Sequence, residues 1–134
     1  MAVKLGAVGL FVNDLKVMVD FYKNVIGFEI DWDGGPYAEF RNDGIRFMMY
    51  GRKDFEGIVG KKLDYNKGLN GTFELAIDLP YFADVDREFE RMTGLGAAPV
   101  YYPKDEPWGM RSSYIADPDG NLIEIGSWGK GESK

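Results

Sequence analysis

The sequence predicts an α+β fold in which one β-α-β-β-β unit is used twice. Two internal echoes carry this expectation. Asp43-Gly44-Ile45-Arg46-Phe47-Met48 matches Asp119-Gly120-Asn121-Leu122-Ile123-Glu124, and the second copy carries a carboxylate that the first lacks. Upstream of each copy, Gly6 to Asp14 and Gly71 to Asp78 are apolar stretches that each lead towards a helix-like pattern. A repeat in that order is the mark of one supersecondary unit copied within the chain. The alternation of period-two and period-3.6 apolar spacing in each half is the third observation.

The elements follow in order. Leu5 to Val12 alternates, with Val8, Leu10 and Val12 on one face and Ala7, Gly9 and Phe11 on the other, so it predicts a strand. Asn13 and Asp14 are candidate N-caps. Leu15, Met18, Val19, Tyr22, Val25 and Ile26 keep helical spacing, and Gly27 stops it. Phe28 to Trp32 reads as a strand and Asp33-Gly34-Gly35-Pro36 as a turn. Tyr37 to Arg41 and Ile45 to Tyr50 read as a hairpin around Asn42-Asp43-Gly44. Residues 51–70 are rich in Gly and Lys with weak periodicity. They are expected to connect two modules and are a candidate flap, with Lys61-Lys62 as a solvated pair.

The second module repeats the order. Thr72 to Ile77 is a strand. Asp84 caps a short helix that turns Val85, Phe89 and Met92 inward and ends at Gly94. Ala97 to Tyr102 is a strand, and residues 103–109 form a loop. Arg111 to Ala116 and Asn121 to Ser127 pair across Asp117-Pro118-Asp119-Gly120, whose residues are turn formers. The expected organisation is one domain over residues 1–128, with module one at 4–50, module two at 71–128 and a polar tail at 129–134.

Composition narrows the chemistry. The chain has 134 residues and 45% hydrophobic content, enough for one packed domain or two small modules sharing a core. A net charge of -6 argues against nucleic acid or an anionic membrane as partner and mildly favours a cationic ligand. There is no Cys and no His. Disulfides, Ser-His-Asp and Cys-His catalysis, and iron sites of the two-His-one-carboxylate type are therefore excluded. Zinc is strongly disfavoured, and any metal would need an all-oxygen site. No apolar run is long enough to span a membrane and no signal segment opens the chain, so a cytoplasmic location is the default expectation.

Phe21-Tyr22 followed by Ile26-Gly27-Phe28, together with Asp117-Pro118-Asp119-Gly120-Asn121-Leu122-Ile123-Glu124, resembles the vicinal oxygen chelate superfamily. That superfamily contains glyoxalases, bleomycin-resistance proteins and extradiol dioxygenases. The resemblance covers residues 4–128. It implies two βαβββ modules whose curved mixed sheets form a cleft. It also implies that the metal-ligand positions of the metalloenzymes fall here on Ala7, Met48, Thr72 and Glu124. The internal repeat pairs the same residues, Ala7 with Thr72 and Met48 with Glu124. Only Glu124 binds metals well, so neither metal nor cofactor is expected, and glyoxalase I and iron dioxygenase activities are disfavoured.

Glu106-Pro107-Trp108-Gly109 resembles the bleomycin-resistance members, which sequester a small molecule without chemistry. The leading expectation is therefore a metal-free small-molecule binding protein. Its ligand would lie in a cleft offering Ala7, Gly9, Phe11, Arg46, Met48, Tyr50, Thr72, Glu74, Ala76, Trp108 and Glu124, where Glu74 and Glu124 could meet a cationic group. The alternative is a lyase, isomerase or dioxygenase that uses Glu124 as base or residual metal ligand; a ligand-responsive partner protein is a third. Glu124 could instead be a structural acceptor for Arg46 or Arg111. Trp108 and Tyr101-Tyr102 could stack a ligand or serve packing. A homodimer is expected, with Trp128 and the aromatic-rich strands as interface candidates.

Overall fold

The computed structural model describes residues 1–129, and the remainder of the expected tail lies outside the described residues. The chain divides into two compact units, Met1–Tyr65 and Asn66 onward. Each holds one mixed, curved sheet with a helix on one face.

In the first unit, β1 (Ala7–Val12) runs parallel to β3 (Arg46–Gly51), and β2 (Tyr37–Phe40) pairs antiparallel to β3. The strand order is β1-β3-β2. Asp14 caps α1 (Leu15–Asp20) by accepting from the Val17 amide at 3.2 Å. The helix continues as a π-helical turn, Phe21–Ile26, whose wider closure shows in the Gly27 amide bonding the Tyr22 carbonyl at 3.0 Å. Gly27 then takes φ 98°, the left-handed cap that stops the helix.

The wide turn brings Tyr22 into an aromatic cluster. Its ring centroid lies 5.2 Å from Phe47, 5.9 Å from Phe40 and 6.1 Å from Phe28. Each such pair adds about 0.5–1.5 kcal/mol beyond simple area burial. The motif that carries the family resemblance is therefore core packing in this unit.

Two expectations for this unit are corrected. Phe28 to Trp32 does not form a strand; it touches the sheet at one bridge, Glu29 to Arg41. The segment turns away at once, because Asp33 accepts from the Gly35 amide at 2.8 Å and the Trp32 indole donates to the Gly35 carbonyl at 2.9 Å. Second, the expected connection contains α2 (Arg52–Val59), closed by Gly60 at φ 67°. None of its residues is fully buried, and its helical apolar spacing, Phe55, Ile58 and Val59, spans a single turn inside a Gly- and Lys-rich stretch.

In the second unit the strand order is β4-β7-β6-β5. β4 (Asn70–Leu79) is parallel to β7 (Asn121–Ser127), while β6 (Arg111–Ala116) is antiparallel to both β7 and β5 (Ala98–Asp105). α3 (Phe82–Gly94) buries Val85, Phe89 and Met92 against Ile115, Ile123 and Ile125. Asp84 is not the N-cap; Tyr81 takes that position, and Asp84 reaches back from the first turn to accept its amide at 3.1 Å. The expected loop at 103–109 is shorter. β5 runs on to Asp105, and a turn closed by Gly109 donating to the Glu106 carbonyl at 3.1 Å leads into β6.

The Asp117–Gly120 turn forms as expected. The buried Asp117 carboxylate accepts from the amides of Asp119 and Asn121 and from the Asn121 side chain, each at 2.9 Å. Gly120 is required twice over. It sits at φ 85°, and a Cβ there would lie 1.9 Å from the Gly68 carbonyl oxygen. The approach is held by the Asn70 amide donating to the Gly120 carbonyl at 2.7 Å.

Candidate functional site

Strand pleating sorts the second sheet into two faces. Ser113, Ile115, Ile123 and Ile125 turn towards α3, as does Arg111, which makes a two-point ion pair with Asp86 of that helix at 2.7 and 2.8 Å. The other face carries Glu74, Ala76 and Asp78 from β4, Leu122 and Glu124 from β7, and Ser112 and Tyr114 from β6. In register, Glu74 lies opposite Leu122 and Ala76 opposite Glu124, so Glu74 and Asp78 flank Glu124 diagonally.

Tyr114 sits opposite Glu124 and donates to its Oε2 at 3.2 Å. Burial first, then the neighbouring Glu74 and Glu124, hold the Tyr114 phenol proton well above the ordinary tyrosine range. The Glu124 carboxyl is raised as well, first by burial and then by the charge of Glu74. Gly126 leaves room for the Met110 side chain: a Cβ there would meet the Met110 methyl at 2.6 Å and approach the Glu124 carboxyl at 3.6 Å.

Beside the carboxylates lies an open groove of about 310 Å³ with a mainly apolar wall, formed by Val100, Tyr101, Trp108, Tyr114 and Leu122 together with Glu106 and Ser112. Tyr101 meets the Tyr114 ring edge-on at 6.1 Å and donates to Glu106 at 2.8 Å. Trp108, at the tip of the turn, is 58% exposed. Tyr114 thus belongs to both the groove and the acidic patch.

The same face of the first sheet collects Ala7, Gly9 and Phe11 with Arg46, Met48 and Tyr50, all expected on sequence grounds. Arg46 is engaged in a two-point ion pair with Glu39 at 2.8 and 3.1 Å. Hydrogen bonds from Arg46 and then Tyr37 hold the Glu39 carboxyl down at about 2. The Tyr37 hydroxyl bonds Glu39 at 2.5 Å and the Met48 sulfur at 3.3 Å. Both arginines proposed as partners of Glu124 are therefore committed elsewhere, Arg46 to Glu39 and Arg111 to Asp86 and Asp105. The structural-acceptor role proposed for Glu124 on those arginines is corrected by this pairing.

The strand register also corrects one internal equivalence. Ala7 faces Arg46, the repeat counterpart of Leu122, and Leu122 faces Glu74. The counterpart of Ala7 is therefore Glu74, not Thr72. A bulge between Asn70 and Glu74 displaces Thr72 from the ladder, where its amide bonds the Asn70 side chain at 3.0 Å. By this register, the positions in the second unit that the resemblance implies as metal-ligand positions would be Glu74 and Glu124. No group of three or more His, Cys, Asp or Glu able to hold a metal occurs among the described residues. Two carboxylates beside a phenol do not fit a tightly held transition metal.

Tyr114 and Asp78 are not among the site residues expected from sequence, and Glu106 enters there only as part of the Glu106-Pro107-Trp108-Gly109 motif. Tyr114 had a readable signal, because period-two alternation from Ser112 places it on the face opposite Ile115.

Two units with parallel outer pairing of first and last strands, each backed by one helix, define a doubled-module α+β protein with an acidic, aromatic-walled open face. The chain belongs to the glyoxalase/bleomycin resistance protein/dioxygenase superfamily, whose family model matches residues 4–125. It is 33% identical over 126 residues to the uncharacterized protein YraH of Bacillus subtilis, covering 91% of this chain and 96% of that protein. It is 26% identical over 121 residues to the catechol-2,3-dioxygenase of the same organism; the match covers 90% of this chain and spans 40% of the dioxygenase. Among solved structures, a glyoxalase/bleomycin resistance protein/dioxygenase from Nocardioides superposes with a TM-score of 0.81 at 22% identity, covering 99% of this chain and 88% of that one. That likeness speaks for the fold alone. No helix among the described residues is long and apolar enough to cross a membrane.

Proposed function

We propose that the protein is a metal-free binder that sequesters a small cationic molecule with an apolar or aromatic body. One observation carries this reading. Glu74, Asp78 and Glu124 share one sheet face, with no Lys or Arg paired to them among the described residues, directly beside the Tyr101, Trp108 and Tyr114 groove. Carboxylates attract the cation, and aromatic faces accept its body and its charge. The superfamily's bleomycin-resistance members, to which Glu106-Pro107-Trp108-Gly109 is similar, support the same role.

Thermal shift and calorimetric titration with a panel of cationic antibiotics, their neutral analogues, thioesters and divalent metals test it. A cationic aromatic compound should raise the melting temperature, because it binds only the folded state. Neutral analogues matching it in affinity would overturn the reading.

The second reading is an enzyme, and the raised Glu124 carboxyl beside the Tyr114 phenol favours it. A carboxylate tuned upwards by burial suits proton abstraction near neutral pH. Carbon-bound deuterium gained by a bound ligand in heavy water, and lost with Glu124→Gln, would decide for it.

A further inference from the structure

We propose that α2 is a lid over an aromatic binding face of the first unit, and that a planar aromatic small molecule opens it by taking the place of Phe55. The inference is independent of the ligand reading for the second unit. The open face of the first sheet carries Phe11 and Tyr50 side by side in register, with Tyr37 opposite Tyr50. The Phe55 ring, from α2, lies 4.2 Å from the Phe11 ring and 6.3 Å from that of Tyr50. It shows what the face accepts, namely one flat ring laid against Phe11. Even so, Phe11 is 41% exposed, so Phe55 does not fill the surface.

The helix that delivers Phe55 is weakly held. Its eight residues are too few for independent stability, and Gly57 in its interior lowers that further. No α2 side chain is fully buried. Arg52 and Glu56 are among its tethers, and both are only half-buried. The Arg52 Nε donates to the Phe11 carbonyl at 3.1 Å, and its guanidinium lies 4.3 Å over the Tyr65 ring. Glu56 accepts from the Leu63 amide at 2.8 Å and from the Tyr65 hydroxyl at 3.0 Å. These bonds tie α2 to the segment that follows it, so helix and segment can move together. Glycines stand at both ends, Gly51 as N-cap and Gly60 in the left-handed region. Segments with few buried contacts open at low free energy.

Hydrogen exchange and 2-naphthol titration of the whole chain test the proposal. Amides of α2 should exchange on the order of a hundredfold faster than those of α3, the mark of local opening. Phe55→Ala should keep its near-UV circular dichroism and bind 2-naphthol roughly tenfold more tightly, since the competing ring is gone. Adding Phe11→Ala to that variant should abolish the gain. If Phe55→Ala weakens the fold, Phe55→Leu serves, because it removes the stacking ring while keeping an apolar side chain. Amides in α2 as protected as those in α3, or no gain in naphthol affinity with either Phe55 variant, would overturn the lid. Phe55 would then be a packing residue.

Discussion

Glu124 is the residue on which the ligand reading turns. Its hydrogen-bond partner is a phenol, and its charged neighbours are Glu74, Asp78 and Glu106. A carboxyl raised in the folded state binds more protons there than in the unfolded chain. Its sign is therefore fixed: stability falls as pH rises from the ordinary glutamate range through the raised value. Glu124→Gln should remove that fall, so the variant gains on the parent as pH is raised in urea melts. The same substitution should weaken binding of a cationic ligand by about 1.5–3 kcal/mol, roughly ten- to a hundredfold. A loss of stability at neutral pH with unaltered affinity would instead mark a structural acceptor. Glu39 makes the opposite forecast. Its carboxyl is held down at about 2 by Arg46, so its contribution is present above the unfolded glutamate value and fades as pH falls towards 2. Arg46→Gln should flatten the acid limb of the stability profile.

At the scale of elements, the two Asp-Gly turns form a built-in comparison. Gly44 and Gly120 are repeat counterparts with φ 97° and 85°. A Cβ at Gly44 meets nothing within 4 Å, whereas at Gly120 it collides with the Gly68 backbone. Gly44→Ala should cost about 1–2 kcal/mol, the left-handed penalty alone. Gly120→Ala should cost a further 1–3 kcal/mol or so, because the 68–70 segment must move. Equal shifts of the two urea midpoints would refute the distinction. The elements also show where local pattern ran short. Phe28 to Trp32 has strand-like composition, but Asp33 and Gly35 bend the chain away before a ladder can form. α2 has helical apolar spacing at Phe55, Ile58 and Val59, but this is one turn within a Gly- and Lys-rich stretch, and Phe55 and Glu56 hold it in place through partners at Phe11, Leu63 and Tyr65.

For the molecule as a whole, the edge strand β5 and its flanks expose Val100, Tyr101, Tyr102 and Trp108, and Trp128 is exposed as well. Exposed aromatic surface on an unpaired strand edge favours association. A homodimer is the expected state, and light scattering at micromolar concentration should give twice the 15.1 kDa chain mass. A monomer at that concentration would refute it. Elemental analysis after metal-free purification should find no stoichiometric zinc, iron, nickel or manganese. One tightly bound transition metal per chain would reverse the reading of Glu74 and Glu124.

What the residues determined by themselves was the architecture. Two Asp-Gly turns, two apolar strand-helix successions and the Phe21-Tyr22 to Phe28 motif are local patterns, and local patterns survive folding because each element must bury one face. They also placed Glu74 and Glu124 on the face away from the helix, since period-two alternation is a property of the strand alone. The partners of those carboxylates were decided only by tertiary structure. Arg46 was free to be read against Glu124 until the β2–β3 register set it beside Glu39. Arg111 was free likewise until α3 brought Asp86 to it. Thr72 stood where repeat counting put it until the bulge before Glu74 moved the register. Register, bulges and helix docking come from non-local pairing, in which the competing strands and charges are distant in the chain, so no window of sequence contains the information that settles them.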